Sequence, residues 1–528
     1  MPFRPLPLLL GAALASCFLT PQAAAAPPVG DDINDRMGLT QSFLVGYTNS
    51  VEHDWGSVWT NMKAGVTRIA PDRSTTYWDQ SGRGGQGAAR VEALDREVKL
   101  AFANNRTQPV VQFIFLPSFE EGRQIQDIDW FELGRAFAAR YRVDSDWNLA
   151  NTGPGYGIRR WMILNEIDAP WYHPGYSNGR IVDPQTHTKS LDDALAQYRK
   201  ANADFAAGVR ASDPAADVFL GPLATGWVDE SYPYQAGRWI TEARDLLLSR
   251  GPERLDGFGF HSYPSTRLTD QDGFHRRMDP QWQYDRAIQQ AGLWSVSPSF
   301  YTTEIGVQVA DIDGPGPGPR FRGARTTLPA EEQVLPAQLM LPLIWNNLAV
   351  RHSSGPRWSQ PANVFTSVFS PFSINRGNWV SLAEDARWHL TLNNTFSPNS
   401  RGRVYQLVSQ LGAGMSITRV ARSADNAELT AEGGGKTLHV RMHYPDDPYT
   451  DRTSWALWVP PQTRRAQVFY WDSTRWLPKQ APQGLPTAER TIDLQPFPWA
   501  QYISVPVRPG ETVMLLLSTD EQAPFPSN

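Results

Sequence analysis

Two glutamates stand at the ends of short apolar runs. Glu166 closes Trp161–Leu164 within RWMILNEIDAP, and Glu304 closes the run in SFYTTEIG, residues 299–306. A short apolar run reads as a buried strand, and a carboxylate at its C-terminal end sits at the mouth of a parallel sheet or barrel. Two such carboxylates on one barrel face each other across a bond to be broken. At a separation of about 5–5.5 Å, one serves as acid/base and the other as nucleophile in glycosidic cleavage with retention. The acid must keep its proton near neutral pH, through burial or through the other carboxylate. The nucleophile must stay ionised, which calls for hydrogen-bond donors.

Polar residues suited to that work stand nearby in the pattern. Asn165 precedes Glu166 and is placed to hold a sugar hydroxyl. The run FHSYP, residues 260–264, puts His261 and Tyr263 on a neighbouring strand end, where a phenol would donate to Glu304. Arg68 is a charge inside the otherwise apolar VTRIA. It needs a partner, and a carboxylate at the barrel mouth would be one. Trp171 and Tyr172 follow the fourth run and are candidate subsite walls, because aromatic faces pack on the apolar faces of sugars. Each residue taken singly also has a structural reading. A lone strand-end glutamate forms a surface ion pair, His261 is a satisfied core histidine, Tyr263 packs, and Arg68 pairs with Asp72 or Glu304 without touching substrate. The two glutamates in register with the strand count favour catalysis.

The elements that must position these residues can be read along the chain. Strand-like runs lie at Phe43–Tyr47, Val66–Ala70, Val110–Phe115, Trp161–Asn165, Asp217–Leu220, Phe258–His261, Phe300–Glu304 and Val364–Phe369, with helical patterns between them. Eight strands alternating with helices predict a (β/α)8 TIM barrel. After Gly412 short strands separated by turn clusters such as Glu432-Gly433-Gly434-Gly435 predict a C-terminal all-β sandwich. The expected division is a signal peptide over 1–26, a catalytic domain over 27–412 and the sandwich over 413–528.

Asn-Glu after the fourth strand, His-x-Tyr after the sixth and Thr-Glu-Ile-Gly at the seventh resemble the clan A glycoside hydrolases, the retaining (β/α)8 enzymes. With the appended sandwich, the layout is most similar to glycoside hydrolase family 39. The resemblance implies that Glu166 is the acid/base and Glu304 the nucleophile. It implies that Asn165 binds the sugar 2-hydroxyl, that Tyr263 bonds to the nucleophile, and that His261 and Arg68 are supporting polar residues. Many family members have Asn-Glu-Pro where this chain has Asn165-Glu166-Ile167.

Composition sets the remaining bounds. The 528 residues exceed one compact core, and a net charge of −5 without a basic stripe argues against nucleic acid as a partner. Arg4, the apolar stretch 5–20 and the small residues of 22–26 form an export signal. The only cysteine, Cys17, follows Leu-Ala-Ser, so a lipid anchor at Cys17 competes with ordinary cleavage further on; both readings export the protein. No later stretch is apolar for long enough to span a membrane. Gly82–Gly87 matches G-x-G-x-x-G but stands far behind its strand, and Asp311 and Asp313 lack a completing calcium ligand. No cofactor or metal is expected. The expected partner is a polysaccharide or oligosaccharide substrate. A non-catalytic polysaccharide-binding barrel and a transglycosylase are the rival readings.

Overall fold

The computed structural model describes residues 32–40, 64–69, 94–99, 101–102, 107–113, 128–168, 191–223, 236–261, 280–306, 340–368, 400–423, 426–443, 453–472, 490–494, 501–507 and 511–520. Eight parallel strands form its first sheet. They are β1 Met37–Thr40, β2 Val66–Ile69, β3 Gln108–Phe113, β4 Arg160–Ile163, β5 Asp217–Val218, β6 Gly257–Gly259, β7 Ser299–Ile305 and β8 Asn363–Val368. Their order is β5-β4-β3-β2-β1-β8-β7-β6. The segment following β5 also bonds to β6, through Leu220 N–H to the Gly257 carbonyl at 3.0 Å and His261 N–H to the Leu223 carbonyl at 2.9 Å.

Seven of these strands fall on the expected runs. The first does not. Met37–Thr40 pairs in parallel with both β2 and β8, and the longer run Phe43–Tyr47 lies outside the described residues. MGLT is too short for its apolar content to stand out in sequence. Its place is set by Met37 and Leu39, which are buried. The expected signal segment 1–26 also lies outside the described residues. Among the described residues no helix is long and apolar enough to cross a membrane.

Alternation along the strands sorts side chains to two faces. Val66, Val110, Met162, Phe219 and Tyr301 meet in one small apolar cluster inside the sheet. Their neighbours Val111, Phe113, Trp161, Ile163, Phe258 and Phe300 face the other way. There they pack with helix residues such as Phe137, Tyr198, Phe205 and Ile288. Two positions beyond Val66 and Val110 on the same inner face stand Arg68 and Gln112, at the C-terminal ends of their strands.

The second half is antiparallel. The strands are β9 Ser416–Arg422, β10 Asn426–Gly433, β11 Lys436–His443, β12 Thr453–Val459, β13 Arg465–Asp472, β14 Arg490–Asp493, β15 Gln501–Val507 and β16 Glu511–Ser518. Six of them form a sheet ordered β14-β13-β16-β11-β10-β9, and β12 pairs with β15. Gly434 and Gly435 join β10 to β11 with φ of 57° and 73°, the left-handed pair that a two-residue hairpin turn requires. Every residue of β16 is buried, because both its faces are covered. Val513, Leu515 and Leu517 pack toward β12 and β15. Met514 and Leu516 pack the other way, with Leu438 and Val440 and with Ile33, Met37, Leu39, Tyr405 and Val408.

That last cluster joins the parallel and antiparallel halves in one core. Leu438 is fully buried within it. Leu438→Ala should therefore cost about 2–5 kcal/mol, and both halves should unfold together. Chemical denaturation followed by far-ultraviolet circular dichroism and tryptophan fluorescence checks this. Two separated transitions, with only one of them shifted, would contradict a shared core.

Candidate active site

Five strands deliver polar side chains to one place. Arg68 comes from β2, Gln112 from β3, Asn165 and Glu166 from the end of β4, His261 from the end of β6, and Thr303 and Glu304 from β7. All seven are buried. Arg68 is fully inaccessible, and its guanidinium is divided among three acceptors. Nη1 donates to Glu304 Oε1. Nη2 donates to Asn165 Oδ1 at 2.8 Å, and Nε donates to Gln112 Oε1 at 2.5 Å. On the other side, His261 Nδ1 lies 2.7 Å from Glu166 Oε1 and 3.6 Å from Glu304 Oε2. Its Nε2 lies 2.7 Å from Thr303 Oγ1. Where Glu166 is ionised, or carries its proton on Oε2, Oε1 accepts and Nδ1 carries the proton; in the neutral ring Nε2 then accepts from the Thr303 hydroxyl.

Beneath this polar layer sits the apolar floor. The rings of Phe219 and Tyr301 are tilted against each other, 4.8 Å apart. Burial pushes the Tyr301 phenol well above its usual range, so it stays protonated beneath Arg68.

The backbone at the end of β4 is unusual. Leu164 and Glu166 have φ of 62° and 50°, left-handed values that cost non-glycine residues energy and persist only where the surroundings enforce them. Three bonds do so. Leu164 N–H donates to the Phe113 carbonyl at 2.8 Å, and Glu166 N–H donates to the Pro222 carbonyl at 2.8 Å. Gln112 Nε2 donates to the Leu164 carbonyl at 2.6 Å and to Asn165 Oδ1 at 3.0 Å. The segment after β5 can approach this corner because residue 221 is glycine. A Cβ there would lie 2.3 Å from the Ile163 carbonyl oxygen.

Of the residues singled out in the sequence, Arg68, Asn165, Glu166, His261 and Glu304 are brought together. Tyr263, Trp171 and Tyr172 lie outside the described residues. Arg68 pairs with Glu304 rather than standing apart from the site, and His261 touches both carboxylates. Sequence reasoning missed Gln112 and Thr303. Gln112 did leave a signal, since it interrupts VVQFIF just as Arg68 interrupts VTRIA. Thr303 left none beyond its adjacency to Glu304.

One donor atom from each of Glu166, His261 and Glu304 lies within 4.8 Å of the others, close enough for the three to hold a metal ion. Against that use, Glu304 already has a cationic partner in Arg68.

No protein-family model and no curated protein sequence matches the chain. Solved structures of similar fold are glycoside hydrolases. A glucosidase from Croceicoccus marinus is 12% identical, with a TM-score of 0.53 over 94% of this chain and 98% of the other. AbfB, a family 51 α-L-arabinofuranosidase from Bifidobacterium longum, is 11% identical, with a TM-score of 0.50 over 93% and 97%. A family 39 enzyme from Xanthomonas axonopodis pv. citri is 13% identical, with a TM-score of 0.49 over 92% and 94%. At these identities the likeness is one of fold.

The Gln112 contacts yield a prediction. Gln112→Leu removes every bond that this side chain makes to Arg68, Leu164 and Asn165. If the corner that carries Glu166 acts in the transition state, the expected result is a kcat lower by about 10–100-fold with a smaller change in KM. Steady-state kinetics on a cleaved substrate checks this, and an unchanged kcat would remove Gln112 from the site.

Proposed function

We propose that this chain is an exported glycoside hydrolase that cleaves a polysaccharide or oligosaccharide with retention. Glu166 is its acid/base and Glu304 its nucleophile. The observation that carries the reading is the pair of buried carboxylates at the ends of β4 and β7, with oxygen atoms within 4.8 Å of each other. That spacing suits direct attack by one carboxylate. An inverting enzyme needs about 6.5–9.5 Å to admit a water between carboxylate and sugar.

The steps follow from the contacts. Glu166 protonates the leaving oxygen while Glu304 attacks the anomeric carbon and forms a glycosyl-enzyme. Arg68 gives the Glu304 charge a fixed cationic partner. Arg68 bonds to Glu304 Oε1, and we assign the attack to Oε2, the oxygen nearer His261. His261 positions Glu166 through Oε1, so Oε2 of Glu166 carries the transferred proton. The leaving group departs and Glu166, now ionised, activates a water that releases the sugar with its starting configuration. With its oxygen committed to Arg68 and Gln112, Asn165 meets a sugar hydroxyl as a donor. Tyr263, Trp171 and Tyr172 remain proposed substrate contacts.

The scaffold we infer is a (β/α)8 barrel, closed by the bonds between the segment after β5 and strand β6 and followed by a β-sandwich. The fold-level neighbours carry names for different sugars, a glucosidase and an α-L-arabinofuranosidase, and so support no particular sugar. Export rests on the composition of residues 1–26.

Glu304→Gln should abolish turnover. Glu166→Ala should slow substrates with poor leaving groups by about 10²–10⁴-fold while sparing activated aryl glycosides. Product configuration read by proton NMR should match the substrate; inversion would sink the double-displacement reading. The three-donor cluster favours one other reading, metal-assisted hydrolysis. Dialysis against EDTA separates the two. Unchanged rates support the two-glutamate route, and loss of activity restored by a divalent ion supports the metal.

A further inference from the structure

The pair β12 and β15 packs one face into the protein and turns the other to solvent. Trp455, Val459, Ile503, Val505 and Val507 are buried against Val513, Leu515 and Leu517. Alternation sends Ser454, Ala456 and Trp458 from β12, and Tyr502, Ser504 and Pro506 from β15, to the opposite face. There they stand in register as Ser454 opposite Pro506, Ala456 opposite Ser504, and Trp458 opposite Tyr502. Trp458 is 51% exposed and Tyr502 is 75% exposed. The Ser454 and Ser504 hydroxyls bond to each other across the strands. None of the six residues is charged.

Such a face is unusual for solvent-facing strands, which carry charges and other devices against pairing with another chain. Composition does not force it, since Trp455, Phe469 and Trp471 of the same sheets are buried. Two large rings on directly paired residues, on strands whose other face is packed, present a neutral aromatic surface. Tryptophan and tyrosine each have only two side-chain torsions and lose little freedom when they bind. Aromatic faces match the C–H faces of pyranose rings, and the phenol and serine hydroxyls match their equatorial groups. None of these six residues offers a cation to a uronic or sulfated chain.

We propose that this face is a second carbohydrate-binding surface, separate from the cleavage site, which holds a neutral polysaccharide by stacking its sugar rings on Trp458 and Tyr502. The choice of a glycan as occupant rests on the glycosidase reading above. A surface of this kind keeps the chain on its polymer between cleavage events and raises the local concentration of linkages at the site.

The test uses the full chain carrying Glu304→Gln, so that no polymer is consumed. It is run in native gels cast with hydroxyethyl cellulose, xylan, galactomannan or polygalacturonate. At least one of the three neutral polymers should retard the chain, and polygalacturonate should not. Adding Trp458→Ala with Tyr502→Ala should weaken that affinity about tenfold or more. The aromatic exchange Trp458→Tyr with Tyr502→Trp should keep it. Trp358→Ala, which removes a 67% exposed tryptophan on a loop, should leave it unchanged. If the double alanine variant does not fold by circular dichroism, Tyr502→Ala alone is read in its place.

Three results would overturn the proposal. One is a double variant retarded as strongly as its parent, which assigns the retention to the cleavage site. Another is no retardation by any neutral polymer. The third is a variant that alters only the sedimentation coefficient, which makes the face a contact between two copies. Failure of the glycosidase reading shows separately, as no product released from any polymer by the unsubstituted chain.

Discussion

A guanidinium without access to water must be met entirely by protein acceptors. Arg68 is in that position, and its acceptors come from β3, β4 and β7. The cation therefore ties four strand ends together. It also sets the orientation of two amides, since the oxygens of Asn165 and Gln112 must both face it. The Gln112 NH2 then points to Leu164 and Asn165, and through them the same cation fixes the corner that carries Glu166. Stability alone does not explain this arrangement. A well-packed apolar group would serve a fold as well as a buried ion pair or better, and removing one partner from such a pair costs about 3–5 kcal/mol. What the pair provides is a carboxylate at Glu304 whose charge and position are both fixed before any substrate arrives, which is the preorganisation that catalysis requires.

Much of this architecture could be read in the sequence because alternation and burial leave marks there. Seven parallel strands were visible as apolar runs, and Glu166, Glu304, Asn165, Arg68 and His261 stood out as polar residues at or near their ends. Three things were hidden for physical reasons. Strand β1 is four residues long and contains a glycine, so its membership in the sheet comes from pairing with β2 and β8 and not from its own propensity. Gln112 is one polar residue in an apolar run, and only the third dimension shows that it faces Arg68. The left-handed residues Leu164 and Glu166 carry no glycine or asparagine to announce them. Their conformation is imposed by bonds from Gln112, Phe113 and Pro222, which are distant in sequence or lie on other strands.

The antiparallel half contributes more than an appendage would. Ile33, Met37 and Leu39 lie in the same core as Leu438, Val440, Met514 and Leu516. The short helix that leads into β1 also bonds directly to the segment that leads into β9, through Ile33 N–H to the Met415 carbonyl at 2.8 Å. Strand β1 pairs with β2, which carries Arg68. The support for the short first strand, and so for the strand that presents the central cation, comes partly from residues four hundred positions away in the chain. The compositional change after Gly412 marks a change of secondary structure, while the packing runs across it.

The two glutamate-bearing strands share one further property. A regular strand sends consecutive side chains to opposite faces, so it offers a site one residue in two. Both β4 and β7 offer two in a row. On β4, Met162 faces inward, so alternation would carry Leu164 inward and Asn165 outward. The positive φ at Leu164 turns that residue into the outer core and brings Asn165 inward beside Glu166. On β7, Tyr301 faces inward, so alternation would carry Thr303 inward and Glu304 outward. There the register shifts between Thr302 and Ile305, where β7 advances three residues against two on β8. That extra residue, a β-bulge in effect, lets Thr303 reach His261 while Glu304 reaches Arg68. The two strands use different devices for the same end. Each carboxylate arrives with the neighbour needed to orient the site, Asn165 beside one and Thr303 beside the other. Irregular backbone at these two strand ends and regular pairing through the middle of β2 and β3 is the distribution expected of a sheet built to hold chemistry at its rim.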